Sequence, residues 1–186
     1  MNHNHNRNWK ILSWNVRGIN SRDKWNIIRD RIVESECDIL CLQETKKDEF
    51  DQSFLRNICP PSFDSFEFLP SVGASGGIVT IWKGRLFCGE MIFNNEFAIS
   101  MEINSKMSDD SWILTNVYGP CTPEGKQNFT DWLRQIQMPE DREWIVLGDF
   151  NLIRKPEDRN RGEGNMAEMF MFNDTISHLG INEITL

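Results

Sequence analysis

The hydropathy pattern predicts an α/β or α+β chain, in which strands and helices alternate near both ends and short strands fill the middle. Three observations carry this expectation. Apolar runs of four to six residues, bounded by glycine and polar groups, recur as strand signals, while stripes such as Trp25, Ile28 and Ile32 have helical spacing. Between Phe66 and Ile103 the runs FEFLP, GIVTIW, RLFCGEMIF and FAISMEI follow one another with only turn residues between them, as in an antiparallel meander.

Taken in order, the polar opening MNHNHNRN, residues 1–8, is expected to be a disordered tail; His3 and His5 could chelate a stray metal there. A first strand is expected over Trp9–Val16. Ser21 is placed to cap a helix from about Arg22 to Ser35. A strand over Ile39–Gln43 follows, then a short helix around Glu49–Ile58 with Phe50, Phe54 and Ile58 on one face. Pro60 and Pro61 stop it, because proline cannot donate to the preceding helical turn.

After the meander, the polar stretch Ser105 to Ser111 reads as a hairpin loop into a strand ending at Tyr118. Thr122 followed by Pro123 is a helix start, with Phe129, Trp132, Leu133 and Ile136 as the buried stripe. Trp144 to Leu147 reads as a strand buried on both faces. Met166 to Leu179 reads as a helix closed by Gly180, with His178 as a surface side chain, and INEITL as the start of another strand.

Four of these strands end on polar groups. Lys10 to Asn15 closes on Asn15, Asp38 to Glu44 on Glu44, Trp112 to Tyr118 on Tyr118, and Glu143 to Asn151 on Asp149 and Asn151. One such residue is commonly the solvated end of a strand. Four together, supplying carboxylates, amides and a phenol from rigid elements, suit a phosphate and a hard metal ion.

The motifs SWNVRG, CLQETK, GGIVTIW, NVYGP and GDFN followed by RKPEDRNR make the sequence similar to the endonuclease/exonuclease/phosphatase superfamily. Within it, the chain resembles the endonuclease domain of plant LINE (non-LTR) retrotransposon polyproteins. The resemblance covers residues 9–186 and implies a four-layer α/β/β/α sandwich of two mixed β-sheets flanked by helices. It also implies a domain incomplete at its C-terminal side, because the family's closing Ser-Asp-His motif does not occur in the sequence.

By the same resemblance, Glu44 is the main ligand of Mg²⁺, with Mn²⁺ as a substitute, and Asn15 lies near it. Asp149 orients or deprotonates the attacking water, Asn151 bonds the phosphate and Tyr118 steadies it. Glu44 and Asp149 are expected at one rim, within reach of one hydrated cation. The implied activity is nicking of DNA to prime a downstream reverse transcriptase. Two other readings stay open: a different phosphoesterase of the superfamily, on abasic DNA, RNA or small phosphorylated molecules, and an inactive remnant.

Composition constrains the partners. With 186 residues and 39% apolar content one domain can bury a core of its own. The net charge of −8 argues against a broadly basic nucleic-acid binder. Basic residues do gather locally, as Arg154, Lys155, Arg159 and Arg161 after GDFN and as Arg17, Arg22 and Lys24 after the first strand; they are either solvated loop charges or flank a phosphate backbone. No apolar run reaches membrane-spanning length and no signal-peptide pattern opens the chain, so no membrane partner and an intracellular location are expected. The five cysteines, odd in number and without metal-ligand spacing, are expected to be buried reduced thiols.

Overall fold

The computed structural model describes residues 8–73, 75–158 and 164–184; the expectations for His3, His5, Arg159 and Arg161, and for the last two residues, fall outside them. The chain divides into two compact units, 1–118 with 140–148, and 119–139 with 149–186.

The first unit contains two four-stranded sheets. Strands β1 (Ile11–Asn15), β2 (Ile39–Gln43), β3 (Ser65–Val72) and β4 (Ser75–Trp82) form one, in the order β1-β2-β4-β3. It is mixed: β1 and β2 run parallel, and β4 is antiparallel to both β2 and β3. The β1–β2 connection is helix α1 (Arg22–Ser35), the long crossover that parallel neighbours require. Ser21 caps it by accepting from Lys24 N, as its position predicts.

The second sheet has the order β5-β6-β7-β8, from β5 (Phe87–Asn95), β6 (Ala98–Ser105), β7 (Ser111–Tyr118) and β8 (Glu143–Asp149). The expected single meander is therefore divided. β3 and β4 make a hairpin in the first sheet, while β5, β6 and β7 meander antiparallel in the second. Period-2 patterning specifies that neighbouring runs pair, but not that a sheet changes between Trp82 and Phe87.

Alternation along β2 and β4 builds two cores. Leu40, Leu42, Val79 and Ile81 face α1 and the short helix α2 (Gln52–Ile58), packing with Ile28, Ile32, Leu55 and Ile58. Phe50, Phe54, Phe66 and Phe68 pack against the same cluster, with Phe50 and Phe66 rings edge-on at 4.8 Å. Ile39, Cys41, Ile78 and Trp82 point the other way, into the space between the sheets, and meet Phe87, Ile99, Met101, Ile103, Trp112 and Leu114. A strand serving two cores has no solvent face, so all five residues of β2 are buried.

β8 differs from this expectation. It was expected to be buried on both faces, but every residue from Trp144 to Asp149 is only half-buried, because β8 is the last strand of its sheet. Its Trp144 Nε1 donates to Thr115 Oγ1 at 2.8 Å, satisfying the indole along the β7 side. The thiols also divide: Cys37, Cys41 and Cys59 are buried as expected, whereas Cys88 and Cys121 are exposed. Cys88 lies on edge strand β5 and Cys121 in the polar turn before the Thr122 cap.

The second unit contains helices α3 (Pro123–Gln135) and α4 (Met166–Leu179). Thr122 caps α3 and Gly180 closes α4 in the left-handed conformation, both at the positions the sequence marks. The helices are joined by Lys126 to Glu168 at 2.7 Å and by Arg134 to Asp174. Phe129, Phe150 and Phe172 stack in a row, with centroids 6.2 Å and 5.4 Å apart. Residues 181–184, expected to begin a strand, have no regular structure. No helix among the described residues is long and apolar enough to cross a membrane.

Candidate functional site

In the first unit, parallel pairing places Asn15 beside Gln43, so that Asn15 and Glu44 come off the C-terminal ends of neighbouring strands. The register continues past the sheet: Val16 N donates to Gln43 O at 3.0 Å and Gly18 N to Glu44 O at 2.7 Å. Asn15 Oδ1 accepts from Arg17 N at 3.0 Å, which turns the chain away from the sheet and fixes the amide. Tyr118 ends β7 in the opposite sheet, its N–H donated to Phe97 O at 2.8 Å.

The ends of β2 and β7 are tied together below these residues. Gln43 Nε2 donates to Asn116 Oδ1 at 2.7 Å and to Ser13 Oγ at 3.1 Å; Asn116 Nδ2 donates to Val79 O and Thr80 Oγ1, each at 3.2 Å. Gln43 and Asn116 are both buried, so each amide depends on the other rather than on water. Three of the five residues predicted from strand ends, Asn15, Glu44 and Tyr118, thus stand immediately beyond one inter-sheet hydrogen-bond network.

In the second unit, Asp149 and Asn151 form a local structure of their own. Asp149 Oδ1 accepts from Asn151 N at 3.0 Å, and Asn151 Nδ2 donates to Gly119 O at 2.6 Å. Gly119 N in turn donates to Asp149 O at 2.7 Å. The backbones come so close that a Cβ on Gly119 would lie 2.1 Å from Phe150 O. The motif NVYGP and the motif GDFN therefore meet at Gly119.

Backbone strain concentrates on these turns. Among the described non-glycine residues, positive φ occurs at Arg17, Glu44, Lys46 and Asn151, with Glu36 at the end of α1 as the fifth. Four of the five flank strand ends that the sequence singles out. Left-handed backbone outside glycine is retained where surrounding bonds over-determine it, and such places cluster at functional sites.

The basic residues are not equivalent. Arg154 is committed inside its own unit: Nε donates to Asn173 Oδ1 at 2.9 Å, Nη1 to Glu183 at 2.8 Å, and its carbonyl accepts from Asn173 Nδ2 at 2.6 Å. Lys155 is mostly exposed and lies 4.0 Å from Asp158. Around β1 and β2, Arg17 is exposed, Lys24 stands over the Trp14 ring and Lys46 lies 3.1 Å from Glu44 Oε1.

The donor chemistry of Glu44 and Asn15 fits a hard divalent cation. One carboxylate with an amide oxygen is the sparse, all-oxygen set that Mg²⁺ accepts while keeping its waters. Among the described residues no group of three or more His, Cys, Asp or Glu gathers.

Three residues beyond the strand-end set prove structurally important: Gln43, Asn116 and Lys46. For Gln43 and Asn116 the signal was present, because a glutamine ends an apolar strand and an asparagine lies within one of mixed polarity. A buried polar residue requires a partner, yet sequence does not say that these two are each other's.

The sequence model of the Endonuclease/Exonuclease/phosphatase family matches residues 12–177. No curated protein matches the chain by sequence. Among solved structures, the AP endonuclease LMAP from Leishmania major superimposes with a TM-score of 0.67 at 20% identity, over 92% of this chain and 66% of that one. The endonuclease domain of TRAS1, a telomere-specific non-LTR retrotransposon, gives 0.64 at 13% identity over 92% and 72%. The Xenopus laevis APE2 catalytic domain gives 0.63 at 20% identity over 89% and 67%. The chain spans about two-thirds of the length of these structures, and at such identities the likeness is one of fold. The family match over residues 12–177, on a fold these structures share, means that the chain belongs to the Endonuclease/Exonuclease/phosphatase family.

Proposed function

We propose that this chain is a Mg²⁺-dependent phosphodiesterase that nicks DNA, as part of a longer LINE-type polyprotein carrying a reverse transcriptase. The observation that supports this reading best is the pair Asn15 and Glu44 at the ends of adjacent parallel strands, a hard-oxygen donor set in a strained and heavily hydrogen-bonded turn.

Glu44 and Asn15 would hold the Mg²⁺, with Mn²⁺ able to replace it. Bound there, the cation supplies positive charge against a phosphate and its departing oxygen. Tyr118, at the end of β7, supplies a phenol that steadies the phosphate. Asp149, whose Oδ1 is held by Asn151 N, is the acceptor for a proton of the attacking water. Asn151 donates to Gly119 O with one amide hydrogen and keeps the other for phosphate oxygen. Arg154, Lys155, Arg159 and Arg161 are assigned to the nucleic-acid backbone, Lys155 being the more available of the two described.

A second reading, a phosphoesterase for small or non-DNA substrates, is favoured by the net charge of −8, which opposes a polyanion. One experiment separates the two. Supercoiled plasmid is incubated with the chain and Mg²⁺, alongside Glu44→Gln. Nicking that needs Mg²⁺ and is lost by about 10²-fold or more in the variant supports the proposal. Hydrolysis of a small phosphodiester without nicking supports the second reading; no hydrolysis of either would make this chain an inactive member of its family.

A further inference from the structure

Glu44, Thr45 and Lys46 form a clamped turn. Glu44 and Lys46 both have φ of 54°, with the fully buried Thr45 between them. On one side Gly18 N donates to Glu44 O at 2.7 Å and Ile19 N to Thr45 O at 3.1 Å. On the other, Thr45 N donates to Gly77 O and Lys46 N to Gly76 O, each at 3.0 Å. Asn20 Nδ2 donates to Lys46 O at 3.3 Å. Two left-handed residues in a three-residue segment are costly, and five hydrogen bonds from two neighbouring segments hold them there.

The turn presents two opposite charges to each other. Lys46 Nζ lies 3.1 Å from Glu44 Oε1. Its stem runs over Gly18, where a Cβ would sit 3.4 Å from Lys46 Cδ. An ordinary surface ion pair joins two mobile side chains on independent backbones; here both backbones are fixed, and Glu44 is far less exposed than a surface carboxylate, with 18% of its side chain accessible.

We propose that Lys46 is a built-in counter-ion of Glu44 that a divalent cation displaces on binding. The inference rests on the reading of Glu44 as the metal ligand. An ammonium and a metal ion cannot share one carboxylate oxygen without mutual repulsion, so the lysine lowers metal affinity. At the same time it holds the carboxylate oriented, with Nζ 3.1 Å from Glu44 Oε1, and its four-carbon stem lets the ammonium withdraw toward solvent. Metal affinity is thereby set by the residue two positions after the ligand.

The test is Mn²⁺ binding followed by electron paramagnetic resonance, and Mg²⁺ binding by calorimetry, on the whole chain. Removing the competing charge in Lys46→Met, and independently in Lys46→Gln, should tighten Mn²⁺ binding about two- to fivefold, the range of a partly exposed ion pair. Lys46→Arg should restore the parental affinity, which a merely structural role for the side chain would not predict. Glu44→Gln should lose binding by more than about tenfold. Unchanged or weaker binding in both neutral variants, with Glu44→Gln still defective, overturns the counter-ion role alone. Unchanged binding in Glu44→Gln removes the metal reading, and this inference with it.

Discussion

Gln43 Nε2 and Asn116 Oδ1 are 2.7 Å apart, joining β2 of one sheet to β7 of the other between two buried side chains. Each lies next to a residue of the candidate site, Gln43 directly before Glu44 and Asn116 two residues before Tyr118. The bond therefore sets how the two strand ends stand with respect to each other, at a depth where water cannot substitute.

Replacing Asn116 by Leu removes the acceptor 2.7 Å from Gln43 Nε2 and the donor to Val79 O and Thr80 Oγ1, and should destabilise the chain by about 1 to 3 kcal/mol. Gln43→Leu should do the same. Because the two share one network, the double variant should lose less than the sum, by an amount urea unfolding can resolve. Strict additivity would mean that the two amides do not depend on each other.

Gly148 has φ of +135°, and a Cβ there would lie 2.0 Å from Val117 O, on the neighbouring strand β7. The contact is with backbone, which cannot rotate away. Gly148→Ala should be destabilised by about 3 kcal/mol or more, the upper end for single substitutions. A melting temperature within a degree or two of the parent would contradict the close approach of β7 and β8.

The five thiols should react in two classes. Cys88 and Cys121 are exposed, and a thiol reagent should titrate those two rapidly in the native chain and the other three only after unfolding. Burial pushes the Cys41 thiol from 9.0 up to about 12, and raises Cys37 and Cys59 as well. The fold thus retains the neutral thiols more tightly than the unfolded chain does. Their contribution is fully present below pH 9 and is lost as pH rises toward 12, so stability should fall over that window and fall less in Cys41→Ala. A fall of equal slope in the variant would exclude Cys41 as a cause.

Arg154 and Lys155 should behave differently when neutralised. Arg154→Gln breaks the bonds to Asn173 and Glu183 and should destabilise the protein by about 1 kcal/mol, since these partners are partly exposed. Lys155→Gln should leave stability unchanged while lowering the salt slope of DNA binding by about one unit. Equal effects of the two on stability would show that Arg154 is not the anchor its contacts describe.

Helix ends were legible in the sequence because they are local. Ser21, Thr122 and Gly180 act on backbone groups within a few residues, and the structure uses each as a cap. The strand ends were equally legible: Asn15, Tyr118 and Asp149 are the last residues of β1, β7 and β8, and Glu44 is the first after β2. The clustering of Asn15 with Glu44 was also foreseeable, since two strands linked by a helical crossover pair side by side.

Other features were decided only by the tertiary structure. The change of sheet between β4 and β5, the edge position that leaves β8 half-buried, and the division of the cysteines depend on which strand lies next to which, and period-2 alternation is the same in either sheet. The Gln43–Asn116 bond spans 73 residues, and the Arg154 anchor reaches α4 and Glu183. Local sequence specifies what a residue can bond to, carboxylate, amide or guanidinium; which partner it meets is settled by long-range packing, because only the folded chain brings those groups within 3 Å while excluding the water that would otherwise satisfy them.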